Sequence, residues 1–303
     1  MERSFLTSFA YAKINLALAI TGVREDGYHE LQSVMQSIEL HDVVKVRYRG
    51  EKIVCHCGEL SGPENLAYKA AVLFQRQYGQ FQGIEIEIEK NIPIQAGLAG
   101  GSTDAAATLR LLNELYGNPY DNKTLLALAA KLGADVAFCL NGGTMWASGR
   151  GDSLELLPSA PQIDLILVKP FEGVDTKQAY LRFDEVGQYG ILSHTDWERA
   201  LSQKLVRRIG NLLYNDLEAA SIQLVPQILE LKKLLLEAEC YGALMSGSGS
   251  CVFGIAGSKQ HAIKTAGRLK EIGYSNVWVT RTVNGKTFER RETGGEAFFT
   301  GNT

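Results

Sequence analysis

Residues 9–20, FAYAKINLALAI, alternate in side-chain character with a period of two, which predicts a strand. Ala10, Ala12, Ile14, Leu16, Leu18 and Ile20 share one face. Phe9, Tyr11, Lys13, Asn15, Ala17 and Ala19 share the other, so Lys13 and Asn15 project to the same side. Further strands are expected at 34–40, 43–48 and 52–56. A helix is expected at 65–78, with Leu66, Ala70, Leu73 and Phe74 on one side. GIEIEIEK, 83–90, alternates Ile with Glu and predicts a half-buried strand with one solvated face. Residues 103–117 are Ala-rich, place Leu109, Leu112 and Tyr116 on one face and stop at Gly117, the pattern of a helix. A second helix covers 121–132 and ends at Gly133. The pattern breaks near Leu157-Pro158, and a strand at 163–169 opens a second unit. That unit continues with a helix-rich stretch at 197–239, two apolar pieces flanking SGSGS within 241–255, a helix at 261–272 and a strand at 275–282. From 283 the chain is polar and Gly-rich apart from Phe298-Phe299, which predicts disorder.

A chain of 303 residues suggests about two domains. The expected boundaries are 1–160 and 161–283, with a tail at 284–303. A formal net charge of −3, with no dense basic block beyond Arg290-Arg291, argues against nucleic acid as a partner. The five cysteines, Cys55, Cys57, Cys139, Cys240 and Cys251, are odd in number and irregularly spaced. They suit a reducing, cytoplasmic setting rather than a disulfide framework. Lys13 and Asn15 interrupt the N-terminal apolar run, against a signal peptide. No uncharged apolar run reaches the roughly 18 residues of a membrane span, so no membrane partner is expected.

The chemistry gathers around NIPIQAGLAGGSTDAAATLRLLNELYG, residues 91–117, a glycine-rich loop flowing into a helix. Gly97, Gly100 and Gly101 permit positive-φ turns with converging N–H groups, and Ser102, Thr103 and Asp104 stand where the helix begins. Free N–H groups and the dipole at a helix start attract an anion such as phosphate. The same residues also suit a plain helix cap after a flexible loop. A helix terminus stabilises an anion by roughly 0.3 to 2 kcal/mol, whereas enzymes lower barriers by about 8 to 23 kcal/mol. A phosphotransferase built on this loop therefore needs a separate cation and a group that handles the acceptor hydroxyl. Lys13 is the candidate cation, although a lone strand lysine can also snorkel to solvent. Asp135, in KLGADVAFCL, is the candidate carboxylate, although it can also cap a short helix. SGSGS, 246–250, is a second small-residue loop, or a turn between strands. Cys55-His56-Cys57 lacks a second cluster and reads as a strand with buried thiols rather than a zinc site. Asp152, Asp175 and Asp216 form no metal spacing, and the metal ligands stay unassigned.

AKINLAL (12–18), DGYHEL (26–31), PIQAGLAGGSTDAAATL (93–109), GADV (133–136) and MSGSGS (245–250) occur in this order. Together they resemble the GHMP superfamily of small-molecule kinases, over about residues 9–282. The central loop carries the superfamily resemblance. AKINL with DGYHEL is similar to the branch acting on a cytidine-diphosphate-linked methylerythritol in non-mevalonate isoprenoid biosynthesis. The resemblance implies an α+β fold of two α/β domains, an N-terminal β-α nucleotide-binding domain and a C-terminal ferredoxin-like domain, with the active site between them. It implies transfer of the ATP γ-phosphate to the 2-hydroxyl of the methylerythritol unit, with ATP and Mg2+ as cofactors and a monomer or weak homodimer as the assembly.

Residue by residue, the resemblance makes Lys13 and Asp135 the catalytic pair. Asp135 accepts the hydroxyl proton, and Lys13 orients the hydroxyl and stabilises the developing charge. Pro93, Ile94, Gln95, Ala96, Gly97, Leu98, Ala99, Gly100, Gly101, Ser102 and Thr103 match the ATP loop, and Asn65 a position near the adenosine. Asn15, Tyr28 and His29 match substrate contacts, and Tyr180 a second stacking ring. Ser246, Gly247, Ser248 and Gly249 match the motif that braces the ATP loop. The chain departs from the pattern at Gln95, Ala96 and Ala99, where the superfamily has more glycine. It departs again at Ala137-Phe138-Cys139, where proline and two phenylalanines are common. Mevalonate-type or homoserine kinases and a non-catalytic nucleotide-binding protein are the rival readings, and DGYHEL argues against the first.

Overall fold

A computed structural model describes residues 4–80 and 82–284, so the expectation for the tail at 285–303 lies outside the described residues. The chain opens with two long antiparallel strands, β1 (Leu6–Val23) and β2 (His29–Tyr48), then β3 (Ile53–His56), α1 (Leu66–Tyr78) and β4 (Ile84–Glu89). Helices α2 (Gly100–Leu115), α3 (Asn122–Leu132) and α4 (Ala134–Asn141) follow, then β5 (Thr144–Gly149) and β6 (Ser153–Leu156). The second half comprises β7 (Asp164–Val168), α5 (Thr176–Val186), α6 (His194–Ser202), α7 (Val206–Asn211), β8 (Tyr214–Asn215), α8 (Leu217–Leu224) and α9 (Gln227–Glu237). It closes with β9 (Ala243–Met245), β10 (Val252–Ile255), α10 (Lys259–Glu271) and β11 (Val277–Arg281).

The first sheet runs β3-β4-β2-β1-β8, with β5 joining β2 and β6 joining β5. The second runs β11-β7-β10-β9, antiparallel throughout. The fold is α+β. β8, a two-residue strand from the second half, pairs in parallel with β1 at Ala17 and Leu18, stitching the two halves beside the Lys13 segment.

The two strands expected at 34–40 and 43–48 are one continuous β2, because β1 pairs along nearly its whole length. The pairing register shifts between Tyr11 and Lys13, between Asn15 and Ala17, and between Ile20 and Gly22. These irregularities re-aim side chains along the strand. Successive stretches of β1 therefore enter three different apolar clusters. The solvated face expected for 83–90 is corrected at Glu85, which is buried. β4 is an interior strand, and Arg47 of the neighbouring β2 (2.6 Å) and Arg49, just past its end, meet the Glu85 carboxylate.

Helix α2 begins at Gly100, three residues before the expected start, and packs on α1, α4 and β1. Helix α5, unforeseen in the hydrophobic pattern, buries only Ala179 and Phe183 of its eleven residues, too few to print a period on the sequence.

Candidate functional site

Between the first sheet, the start of α2, α5 and the turn at 247–249 lies a cavity of about 890 Å³. Its floor is the segment 93–99. The left-handed backbone falls on Gln95 (φ 53°), Gly97 (φ 71°) and Ala99 (φ 57°) rather than on Gly100 and Gly101, which are helical. Alanine and glutamine thus take conformations that glycine adopts without steric cost, and neighbours must hold the loop in place. Gly97 is fixed by space as well as by φ, since a Cβ there would run into the Ser246 carbonyl. At Gly100 a Cβ would stand 3.2 Å from Ile92 and from Lys90 Nζ.

The cap reading of Ser102 and Thr103 does not describe this helix start. Ala99 occupies the N-cap, and no side chain caps the turn. Thr103 Oγ1 donates instead to Tyr11 O at 2.8 Å, tying the helix to β1. The first N–H groups of α2 have no intrahelical partner, an arrangement that attracts an anion.

Two elements brace this loop. Lys13 N donates to Leu98 O at 3.1 Å and Cys251 N to Ala96 O at 3.3 Å. Ser246 Oγ donates to Gly97 O at 3.0 Å and accepts from Asn15 N at 3.3 Å. The Ser246–Gly249 turn is held in turn by Asn215, whose amide donates to Met245 O and Gly247 O, both at 2.8 Å. Ser221 Oγ donates to Ser248 O at 3.0 Å, and Thr176 Oγ1 and Ser248 Oγ stand 2.9 Å apart. Asn215, Ser221 and Thr176 were not singled out in the sequence, since each is an ordinary polar residue of a helix or short strand.

Lys13 and Asp135 meet in the cavity. Lys13 is buried, and its Nζ donates to Asn15 Oδ1 at 2.7 Å and lies 3.6 Å from Asp135 Oδ2. Asn15 Nδ2 donates to Ser33 Oγ at 2.8 Å, which donates to Ala17 O at 2.6 Å, so the amide holding the ammonium is itself oriented. A snorkelling lysine is excluded by this burial. Asp135 sits in the first turn of α4 behind Gly133, caps no N–H there, and leaves its side chain 43% exposed. It has an oriented cation on one side and open cavity on the other.

A second buried charge group underlies the loop. Lys90 Nζ donates to Asp42 and, at 2.8 Å, to Asp104 Oδ2. Asp42 Oδ1 accepts from Asn91 N (2.6 Å) and Ile92 N (2.8 Å), fixing the loop's entry. Burial disfavours the charge on Lys90, but Asp104 and Asp42 more than offset it and raise its pKa. Burial pushes the Asp104 carboxyl up to about 7, against the pull of Lys90 and with the push of Asp42. Asp104 Oδ1 is buried without a partner.

Of the remaining expected residues, Asn65 and Tyr180 line the cavity, and Tyr28 and His29 do not. Asn65 lines it and caps α1, accepting from Ala67 N at 2.9 Å. Tyr180 lines it too, and burial followed by the charge of Asp135 pushes its phenol up to about 12, so the ring stays neutral. His29 does not face the cavity freely. Its Nε2 pairs with Asp184 at 2.6 Å, and its ring lies on Tyr180 with centroids 4.7 Å apart. Tyr28 stands 60% exposed where the turn after β1 closes into β2, and the Arg150 guanidinium lies 5.5 Å from its ring centroid. Asp175 caps α5 at Gln178 N, and Asp216 accepts from Ile20 N and Gly190 N. No group of three or more metal-ligating His, Cys, Asp or Glu side chains occurs among the described residues.

The GHMP kinases N terminal domain family matches residues 65–143, and the GHMP kinases C terminal family matches 198–275. A 4-diphosphocytidyl-2-C-methyl-D-erythritol kinase of Desulfitobacterium hafniense is 54% identical over 93% of this chain and 98% of its own length. The enzyme of that name from Pelotomaculum thermopropionicum is 41% identical over 92% of this chain and 98% of its own. Among solved structures, a 4-(cytidine 5'-diphospho)-2C-methyl-D-erythritol kinase superposes with a TM-score of 0.80 at 34% identity, over 92% of this chain and all of that one.

Proposed function

This chain belongs to the GHMP kinases, among the 4-diphosphocytidyl-2-C-methyl-D-erythritol kinases, and from that premise we infer its reaction and the residues that perform it. It is an ATP-dependent kinase that phosphorylates the 2-hydroxyl of 4-diphosphocytidyl-2-C-methyl-D-erythritol, a step of non-mevalonate isoprenoid precursor biosynthesis. The observation that carries the site assignment is the approach of Lys13 Nζ to Asp135 Oδ2, 3.6 Å, in the cavity into which the uncapped start of α2 opens.

Bound ATP supplies the phosphoryl group, and Mg2+ neutralises the charge that spreads over the phosphates. The uncapped N–H groups at Gly100, Gly101 and Ser102 and the segment from Pro93 to Ala99 hold the phosphates. Asn65 lies toward the adenosine. Ser102 lines the cavity at the start of α2 and would offer an oxygen to a Mg2+ bound with the phosphates. Asp135 takes the proton of the 2-hydroxyl as that oxygen bonds to the γ-phosphorus. The bond from phosphorus to the β-bridging oxygen breaks, and ADP departs. Lys13, held by Asn15, orients the hydroxyl and stabilises the charge developing on it. Tyr28 and Tyr180 offer rings for the cytosine. His29, whose Nε2 is committed to Asp184, retains Nδ1 for a polar contact. The Ser246–Gly249 turn braces the ATP loop.

The same reading divides the chain into units at 1–160 and 161–283 and assigns it to the cytoplasm. It makes the protein a monomer or weak homodimer without nucleic-acid or membrane partners. No helix among the described residues is long and apolar enough to cross a membrane. Phosphate transfer from ATP, assayed across cytidyl-linked methylerythritol, mevalonate and homoserine, tests the assignment. Turnover confined to the cytidyl acceptor is expected, and activity only on another acceptor overturns it.

A further inference from the structure

The cavity must hold two polyphosphates at once, ATP and the diphosphate that joins the acceptor's cytidine to its methylerythritol. Its lining opposes this, with five carboxylates (Glu59, Glu64, Asp104, Asp135 and Asp175) against three cations (Lys13, Lys90 and Arg150). Two of those cations serve other parts of the site. Lys90 is clamped between Asp42 and Asp104, and Lys13 lies buried against Asn15 and Asp135. Arg150 differs from both. Its side chain is 49% exposed, and among the described residues its only side-chain ion pair is one contact of 3.2 Å to Asp152. That leaves most of its five N–H donors open.

The position of Arg150 suits the acceptor rather than ATP. Its guanidinium lies over the ring of Tyr28, which stands outside the cavity lining and is one of the two rings expected to stack on the base. The turn that carries it abuts the catalytic end, since a Cβ at Gly151 would stand 3.5 Å from the Cβ of Ala134, the neighbour of Asp135. The turn is also built rather than loose. Gly149 (φ 67°) and Gly151 (φ 88°) take left-handed conformations on either side of Arg150, and Asp152 Oδ1 accepts its backbone N–H at 3.3 Å. A planar fork of donors held between the base platform and the reacting pair matches the middle of the acceptor, and guanidinium binds phosphate oxygens two at a time.

We propose that Arg150 binds the diphosphate of the acceptor and is the residue by which the site requires a diphosphate-linked substrate. This rests on the kinase reading above. The test is calorimetric binding of cytidine diphosphate and of cytidine, with the ATP site filled by a non-hydrolysable ATP analogue. Wild-type turnover of the cytidyl-linked acceptor serves as the control. Arg150→Ala is expected to weaken cytidine diphosphate by about 10- to 100-fold, the loss of a charge-assisted contact, and cytidine by less than about 2-fold. Arg150→Lys, which keeps the charge and loses the fork, falls between wild type and Arg150→Ala. Equal losses for the two ligands would make Arg150 a support for Tyr28 alone, and unchanged affinity for cytidine diphosphate would leave it no role. Either result overturns the inference. A wild-type protein inactive on the cytidyl acceptor would instead overturn the kinase reading on which it rests.

Discussion

Lys13 and Lys90 line the same cavity, yet the protein holds them in opposite ways. Lys90 sits between two carboxylates that are themselves buried, and one of these fixes the N–H groups of Asn91 and Ile92. Its charge is used up in holding the loop's entry. Lys13 has a neutral amide as its hydrogen-bond partner and a single, half-exposed carboxylate at 3.6 Å, outside hydrogen-bond range. An ammonium with unused attraction, facing a carboxylate with unused acceptor capacity, is what a hydroxyl entering between them requires. Burial alone does not separate a structural lysine from a chemical one. The number and exposure of the partners do.

Four substitutions break or sharpen that contrast. Lys90→Met leaves Asp42 and Asp104 buried without their shared cation and should cost about 3 to 5 kcal/mol of stability in denaturant unfolding. Lys13→Ala should lower kcat by about 10²- to 10³-fold in a steady-state assay, the cost of removing one preorganised electrostatic contact. Unchanged turnover would return Lys13 to the role of a strand lysine.

Asp104→Asn tests the pH linkage. A carboxyl whose folded pKa is raised contributes stability that is full below its ordinary value of 3.8 and is lost as pH rises toward about 7. The stability of wild type relative to the variant should therefore fall between pH 4 and pH 8, measured as the difference in denaturant midpoints. A constant difference would show that Asp104 stays ionised throughout. Ser246→Ala removes the bonds to Gly97 O and Asn15 N and should cost about 1 to 2 kcal/mol in unfolding.

The sequence disclosed those parts of the site that depend on neighbours in the chain. The period of two in β1 placed Lys13 beside Asn15, and the small-residue run before an Ala-rich stretch marked a helix start open to an anion. Long-range features were illegible. β8 reaches β1 from about two hundred residues away through two residues, which leave no periodic trace. His29 finds Asp184 on a helix that buries two side chains, so the DGYHEL motif showed the histidine without its partner. Within the loop, composition pointed to Gly100 and Gly101 as the left-handed positions, while the backbone puts that strain on Gln95 and Ala99. There the loop geometry is imposed by Lys13, Ser246 and Cys251 and overrides local preference. Arg150 stands in a polar Gly-rich turn, and sequence alone gives such a residue no direction.

Turnover by Asp135→Asn measures most directly whether Lys13 and Asp135 act on one hydroxyl. The variant keeps the shape of the side chain and removes its ability to accept a proton. A fall in kcat of about 10²- to 10⁴-fold, with ATP binding nearly intact, is the predicted result. Full activity in that variant would contradict Asp135 as the proton acceptor.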